Sequence, residues 1–118
     1  MRILIGITAG ISAYKIPLLI RKFIKEGAEV RCIMTPDARD FVSPLVVSTL
    51  SKNPVGIEFW DKESGLWNNH VAYGEWADVF LIAPCTANTL NKLAQGACDN
   101  LLMATFFSMR NKTIIAPA

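Results

Sequence analysis

The chain has 118 residues, of which 52% are hydrophobic, and 12 Lys and Arg against 10 Asp and Glu give it a formal net charge of +2. A chain of this length and apolarity can bury one hydrophobic core, so we predict a single domain. The charges are scattered singly along the sequence, which argues against a nucleic-acid groove or a polybasic membrane surface.

The cysteines and the apolar runs indicate the compartment. Cys32, Cys85 and Cys98 are odd in number and form no CxxC pair, which argues against a disulfide framework and against a zinc site. The opening ILIGITAGISA is broken by Gly and Thr and runs into a helical pattern, unlike a signal peptide. No uncharged apolar run approaches the ~20 residues of a membrane-spanning helix. We therefore predict a cytoplasmic protein.

The N-terminal part of the chain predicts a strand, a turn, a helix and a second strand. Residues 3–7 (ILIGI) are apolar without alternation, which is typical of a strand buried on both faces of a parallel sheet. From Tyr14 onwards, apolar residues recur on one helical face, with Pro17 in the first turn and Gly27 as the stop. Residues 28–34 (AEVRCIM) predict the second strand and complete a right-handed crossover.

The middle of the chain predicts short helices and a loop. Residues 35–41 predict a short helical stretch, and Ser43 caps a second helix with Pro44 in its first position. A turn then leads into a brief apolar run at residues 55–59 (VGIEF). Residues 61–69 (DKESGLWNN) are polar and contain Gly, so we predict a mobile loop there.

The C-terminal part alternates helices with strands. We predict helices at residues 70–78, 86–96 and 98–109, and buried strands at residues 79–83 and 113–118. The first of these helices is expected to turn Val71, Ala72 and Trp76 inward. The second is capped by Thr86 or Asn88.

This alternation predicts an α/β fold, a flavodoxin-like or Rossmann-like open parallel sheet with helices on both faces. In such sheets ligands bind beyond the carboxyl ends of the strands, where the strand order reverses. The candidate site therefore consists of the segments that follow the strands: TAGIS, TPD, APCTANT and APA.

Two common nucleotide motifs are missing. Gly6 and Gly10 have no third glycine at the distance that the dinucleotide fingerprint GxGxxG requires, and no GK[ST] of a phosphate loop follows. Thr35 stands after the second strand, where a nicotinamide-binding fold places an acid for the ribose. The missing third glycine and the threonine in place of an acid both argue against a dinucleotide.

Hydroxyl side chains instead converge on one rim. They come from Thr8, Ser12, Thr35, Thr86 and Thr89, and two of the segments open helices, whose N-termini favour anions. A neutral, hydroxyl-rich site without Lys or magnesium-binding acids predicts a monophosphate such as FMN. The alternative is that these residues only cap helices.

Few side chains suit catalysis. His70, the only histidine, is either a general acid or base or a solvated helix cap. Cys85 is either a nucleophile activated by the following helix or a small residue that fills a turn. Trp76 fits the core, whereas Trp60 and Trp67 flank the polar loop and suit a lid or an oligomer contact. No nucleophile-elbow motif supports a Ser-His-Asp triad.

Several segments together resemble a known family. GITAGISAYKIPLLIRKF, EVRCIMTPDARDFVSP, the His of HVAYGEWAD and APCTANTLNKLAQGACDNLL resemble the flavin-containing cysteine decarboxylases. The nearest likeness is to the phosphopantothenoylcysteine decarboxylase domain of coenzyme A biosynthesis, and it covers essentially the whole chain.

The resemblance implies an FMN protein that forms homotrimers, or assemblies of trimers, with flavin at the subunit interface. The implied FMN contacts are Gly10, Ile11, Ser12, Thr35, Thr86, Ala87, Asn88 and Thr89. His70 falls on the family's active-site histidine. In this family the substrate cysteine thiol is oxidised to a thioaldehyde, carbon dioxide leaves, and the resulting enethiolate is reduced to phosphopantetheine.

Two departures from the family pattern bear on these expectations. Cys85 replaces the usual Ala or Ser, which leaves binding intact. The PxMNxxMW motif and the later substrate clamp do not follow IIAPA, so we expect residues 1–118 to be a flavoprotein domain truncated at its C-terminal end. Two alternatives stay open: a non-catalytic FMN-binding or regulatory flavoprotein, and a member acting on another cysteine-terminated substrate.

Overall fold

Four parallel strands form a single sheet in the computed structural model, which describes residues 1–118. The strands are β1 (Arg2–Ile7), β2 (Glu29–Met34), β3 (Val79–Cys85) and β4 (Lys112–Pro117), in the order β2-β1-β3-β4. The helices are α1 (Ile16–Lys25), α2 (Pro44–Ser51), α3 (His70–Trp76), α4 (Ala87–Ala94) and α5 (Leu101–Ser108). The predicted α/β fold with an open parallel sheet is confirmed. None of the helices combines the length and apolarity needed to cross a membrane.

The helices cover both faces of the sheet because successive strand side chains point to opposite sides. Ile3 and Ile5 of β1 pack in one cluster with residues of α1 and α2, whereas Leu4 packs in a second cluster with residues of α4 and α5. The chain also contains 3₁₀ turns at Ile11–Lys15 and Pro36–Asp40, so the helical stretch predicted at residues 35–41 is a 3₁₀ turn.

Helix α3 presents a different face from the one predicted. Val71 is 44% exposed and Ala72 is exposed, so their predicted inward orientation is wrong. The buried residue is Gly74, where an added β-carbon would collide with the carbonyl of Ser108 at the end of α5. Because Gly74 lacks that carbon, α3 approaches α5 closely and turns its glycine face inward. Trp76 is half-buried.

The predicted loop at residues 61–69 is part of a hairpin. Trp60 and Trp67 form an antiparallel bridge, and their stacked rings are 6.5 Å apart. Between them, the Asp61 carboxylate accepts hydrogen bonds from the N–H groups of Glu63 and Ser64 at 2.8 and 3.1 Å. This Asx-type turn gives the segment a defined backbone.

Strand β4 is mostly exposed, which contradicts the prediction of a buried strand. Ile115 packs in the second cluster, but Ile114 on the opposite face is 46% exposed. The physical reason is its place in the sheet: β4 is an edge strand, and α1 and α2 pack over β2 at the other edge.

Candidate cofactor site

The strand order reverses between β1 and β3, since the chain runs from β1 to β2 on one side and returns to β3 on the other. A cavity of about 240 Å³ lies at the carboxyl ends of these strands. Its polar walls come from Thr35, Thr86, Asn88, Thr89 and Asn100, its charged residues are Asp37 and Lys92, and its apolar residues are Ala9 and Met103. This is the position at which open α/β sheets bind ligands.

Thr8 ties the loop after β1 to the start of α4. Its buried hydroxyl donates to the Pro84 carbonyl and accepts the Thr86 N–H at 3.1 Å. Thr8 was predicted to share the ligand rim with the other hydroxyls. The structure instead engages its hydroxyl in bonds that hold two site segments together.

Thr86 is the cap of α4, which decides between the two predicted cap residues. Its hydroxyl oxygen accepts the Thr89 N–H at 3.3 Å and lies 3.3 Å from the Thr89 hydroxyl oxygen. The N–H groups of Ala87 and Asn88 have no backbone acceptor, as expected in the first turn of a helix. Together with the positive end of the helix dipole, these donors favour an anion at the cavity.

Thr35 carries the clearest sign of a ligand. Its N–H donates to the Ile7 carbonyl at 3.0 Å, so its backbone is held by the end of β1. The side chain lines the cavity and is only 4% exposed, yet its hydroxyl oxygen makes no hydrogen bond. Buried hydroxyls normally have partners, so this oxygen is available to a group that enters the cavity.

Of the segment after β1, Ala9 lines the cavity, whereas Gly10, Ile11 and Ser12 do not. A β-carbon on Gly10 would be 3.3 Å from the Pro84 side chain and 3.5 Å from that of Thr86, so Gly10 lets this turn lie close to the start of α4. Ile11 is 76% exposed and Ser12 is half-buried. The flavin contacts expected for Gly10, Ile11, Ser12 and Ala87 stay predictions, as do those expected for the predicted site residues that line the cavity: Thr35, Thr86, Asn88 and Thr89.

His70 begins α3 and does not line the cavity. The helix cap is Asn69, whose side-chain oxygen accepts the N–H groups of Val71 and Ala72. The His70 ring packs edge-on against Phe59, with its centroid 6.4 Å away, and its Nδ1 atom is buried without a hydrogen bond. The structure thus gives the cap role to Asn69, and the catalytic role of His70 stays a prediction.

Cys85 fills a turn at the end of β3. Only 1% of the residue is exposed, and burial raises the pKa of its thiol. A raised pKa disfavours the thiolate that a nucleophile needs. The geometry therefore supports the space-filling interpretation of Cys85.

The rim was expected to be neutral and to lack lysine and acids, but the acid Asp37 lines the cavity, as do the unpredicted Asn100 and Met103. The sequence-based prediction also missed Lys92. It lies on the cavity wall, and its Nζ atom is 3.1 Å from a carboxylate oxygen of Asp99. Helical spacing in the sequence could have indicated its place at the site. Lys92 follows Thr89 by three residues, which places both on one face of α4.

Comparison with known proteins identifies the family of the chain. A family model described as Flavoprotein matches residues 1–118. The chain belongs to this flavoprotein family. The resemblance predicted from the sequence motifs is therefore confirmed.

The curated relatives of this flavoprotein chain are longer than it is. The coenzyme A biosynthesis bifunctional protein CoaBC of Haemophilus influenzae is 38% identical over 116 residues, which cover 98% of the chain and 29% of the relative. A cysteine/cysteine sulfinic acid decarboxylase from an unknown prokaryotic organism is 52% identical over 77 residues, which cover 65% of the chain and 21% of the relative. The chain thus spans less than a third of these relatives.

Solved structures share the flavoprotein fold. MrsD from Bacillus sp. HIL-Y85/54728 has a TM-score of 0.88 at 35% identity, covering 99% of the chain and 67% of MrsD. The FMN-dependent cysteine decarboxylase SpaF has a TM-score of 0.86 at 33% identity, covering 99% and 67%. A PPC decarboxylase variant in complex with pantothenoylaminoethenethiol has a TM-score of 0.77 at 30% identity, covering 99% and 66%.

Proposed function

We propose that this flavoprotein chain binds FMN and belongs to a decarboxylase that converts phosphopantothenoylcysteine to phosphopantetheine. The observation that carries the proposal is the polar cavity at the strand reversal, into which the buried Thr35 hydroxyl brings an unused hydrogen-bonding group. The CoaBC relatives that match almost the whole chain support the substrate.

The cavity fits part of FMN. The Thr35 hydroxyl and the N–H groups of Ala87 and Asn88 suit a phosphate or a flavin polar edge. A volume of about 240 Å³ is below the ~300 Å³ at which small-molecule sites typically begin, so the rest of a bound FMN would extend beyond the cavity. The turn containing Gly10 and Ser12 lies beside this opening.

FMN bound here would supply the oxidation of the cysteine thiol and the later return of electrons. The chain's own residues bind and orient the reactants. His70 offers an imidazole whose Nδ1 atom makes no hydrogen bond, so it can accept or hold a proton once a substrate lies beside it.

The proposal includes a homotrimer with flavin at the subunit interface. Ile11, Tyr14 and Leu18 follow the spacing of one helical face, and they are 76%, 59% and 62% exposed. This apolar stripe begins next to Gly10, so a second copy that covered it would form an interface beside the site. Sedimentation of the FMN-loaded protein tests the assembly: a monomer would contradict it.

Location in the cytoplasm is also part of the proposal. Cys32, Cys85 and Cys98 are all free thiols, which suits a reducing compartment. Fractionation of cells expressing the natural protein tests this location.

A second candidate is a decarboxylase for another cysteine-terminated substrate. The TM-scores of MrsD and SpaF, 0.88 and 0.86, exceed the 0.77 of the PPC decarboxylase variant. The test offers the FMN-loaded natural protein phosphopantothenoylcysteine in one reaction and a peptide ending in Cys in another. Carbon dioxide from the first alone supports the main proposal, and from the second alone it supports this candidate. FMN binding without carbon dioxide from either supports a regulatory flavoprotein.

The role of His70 is tested with His70→Gln, which is expected to abolish carbon dioxide release and to retain bound FMN. A matched control is Asn68→Ala, since Asn68 lies in the same segment and bonds the Glu58 carbonyl. Normal turnover by His70→Gln would remove the proposed proton-transfer role while leaving flavin binding intact.

A further inference from the structure

The cavity wall contains one cationic side chain, that of Lys92. Lys92 lies one helical turn after Thr89, so its side chain shares the cavity with the first turn of α4. Asp37 is the acidic residue on the same wall, and Asp99 holds the Lys92 ammonium group at 3.1 Å from outside the lining.

We infer that Lys92 is a phosphate-binding residue that exchanges Asp99 for the phosphate of FMN. The inference rests on the proposed flavin binding and adds to it a residue that selects the phosphorylated cofactor.

The ion pair between Lys92 and Asp99 permits such an exchange. The two side chains are 40% and 57% exposed, so water already competes with their attraction. Pairs this exposed contribute little to stability, and a flexible lysine side chain therefore leaves its partner at low cost. A phosphate at the cavity carries about −1.5 to −2 charges and attracts Lys92 more strongly than one carboxylate does.

The chemistry of the wall favours a phosphate over the flavin ring. An isoalloxazine ring needs apolar surface, but only Ala9 and Met103 supply it. Apart from the Asp37 carboxylate, the remaining groups are hydrogen-bond donors or hydroxyls, including the unpartnered Thr35 hydroxyl, and the dipole of α4 points its positive end at them.

The carboxylate of Asp37 makes the cation necessary. Asp37 lies on the same wall and repels a phosphate, and the helix start carries only about half a positive charge. Lys92 offsets this repulsion. FMN is therefore expected to bind more tightly than riboflavin, which has the same ring and ribityl chain without the phosphate.

The experiment measures FMN and riboflavin binding to flavin-free protein by fluorescence titration. It compares the wild type with Lys92→Met and Asp99→Asn. Both variants break the same ion pair, but only Lys92→Met removes the positive charge from the cavity wall. We expect Lys92→Met to weaken FMN binding about tenfold or more and to leave riboflavin binding within about twofold. Asp99→Asn is expected to bind FMN as tightly as the wild type, or more tightly.

Thermal unfolding of the flavin-free variants checks that both fold. Equal loss of FMN affinity in the two variants would mean that the ion pair is only structural, and the inference would be overturned. It would also be overturned if Lys92→Met weakened FMN and riboflavin equally. Equal binding of both flavins by the wild type would overturn the phosphate site and leave the flavoprotein assignment standing. Binding of neither flavin would overturn both.

Discussion

The Thr8 hydroxyl accepts the Thr86 N–H at 3.1 Å, and this bond joins the end of β1 to the cap of α4 across 78 residues of sequence. The same hydroxyl donates to the Pro84 carbonyl. Two of the four segments around the cavity are therefore held together by one buried side chain, before any ligand binds.

Replacing Thr8 by Val keeps the shape of the side chain and removes these bonds. The Thr86 N–H and the Pro84 carbonyl each lose the bond to the hydroxyl, so we expect the free energy of unfolding to fall by about 1–3 kcal/mol. Urea titration of the flavin-free protein measures the change. Thr8→Ser, which retains a hydroxyl, should recover most of it, and equal losses in the two variants would contradict the explanation.

Replacing Thr35 by Val tests whether the Thr35 hydroxyl serves FMN binding and not the stability of the fold. The Thr35 hydroxyl is buried without a partner, so its removal should leave the free energy of unfolding unchanged or raise it by up to about 1 kcal/mol. The same change should weaken FMN binding by up to about tenfold, because a hydrogen bond to the ligand is lost. Urea titration and fluorescence titration measure the two effects. A less stable protein with unchanged FMN affinity would mean that the hydroxyl serves the fold.

Replacing Gly74 by Ala tests the close approach of α3 to α5. The added β-carbon collides with the Ser108 carbonyl, which is backbone and does not move freely. We expect a loss of about 1–3 kcal/mol in the free energy of unfolding, the usual cost of overpacking. Val71→Ala on the exposed face of the same helix is the control, with an expected change within about 0.5 kcal/mol. Similar losses in both variants would contradict this packing.

The buried Cys32 thiol is expected to make the protein less stable at alkaline pH. Burial raises the pKa of its thiol from 9.0 to about 12, so the folded state keeps the proton that the unfolded state releases. Stability contributed by the protonated thiol is complete below pH 9 and falls between pH 9 and 12, by about 1.4 kcal/mol per pH unit.

The measurement is the free energy of unfolding of the wild type and of Cys32→Ala between pH 7 and pH 10.5. The variant is less stable at neutral pH because it leaves a small cavity, but it should lose less stability as the pH rises. Parallel pH profiles would show that Cys32 does not cause the alkaline loss.

The strands could be predicted from the sequence because their signal is local. The runs ILIGI and VFLIA are apolar without alternation, and both form central strands at nearly the predicted bounds. The parallel sheet could be predicted because these strands alternate with helices along the sequence. The position of Thr35 after β2 also followed, because a residue that ends a parallel strand lies at the binding edge of the sheet.

Other features depended on which elements meet. The exposure of Ile114 depends on α1 and α2 packing at the far edge of the sheet, and the orientation of α3 depends on a contact between Gly74 and Ser108. Neither contact is visible in a local pattern, since the partners are distant in sequence.

The sequence by itself determined the element order, the sheet and the hydroxyl residues at its carboxyl edge, because periodicity and helix caps act over a few neighbouring residues. Only the tertiary structure decided how those hydroxyls are used. It engages Thr8 between two loops, leaves Thr35 without a partner and brings Lys92 onto the same wall. The physical reason is that a buried group's free hydrogen-bonding capacity depends on every neighbour packed against it, whereas its place in a strand or helix depends on the chain beside it.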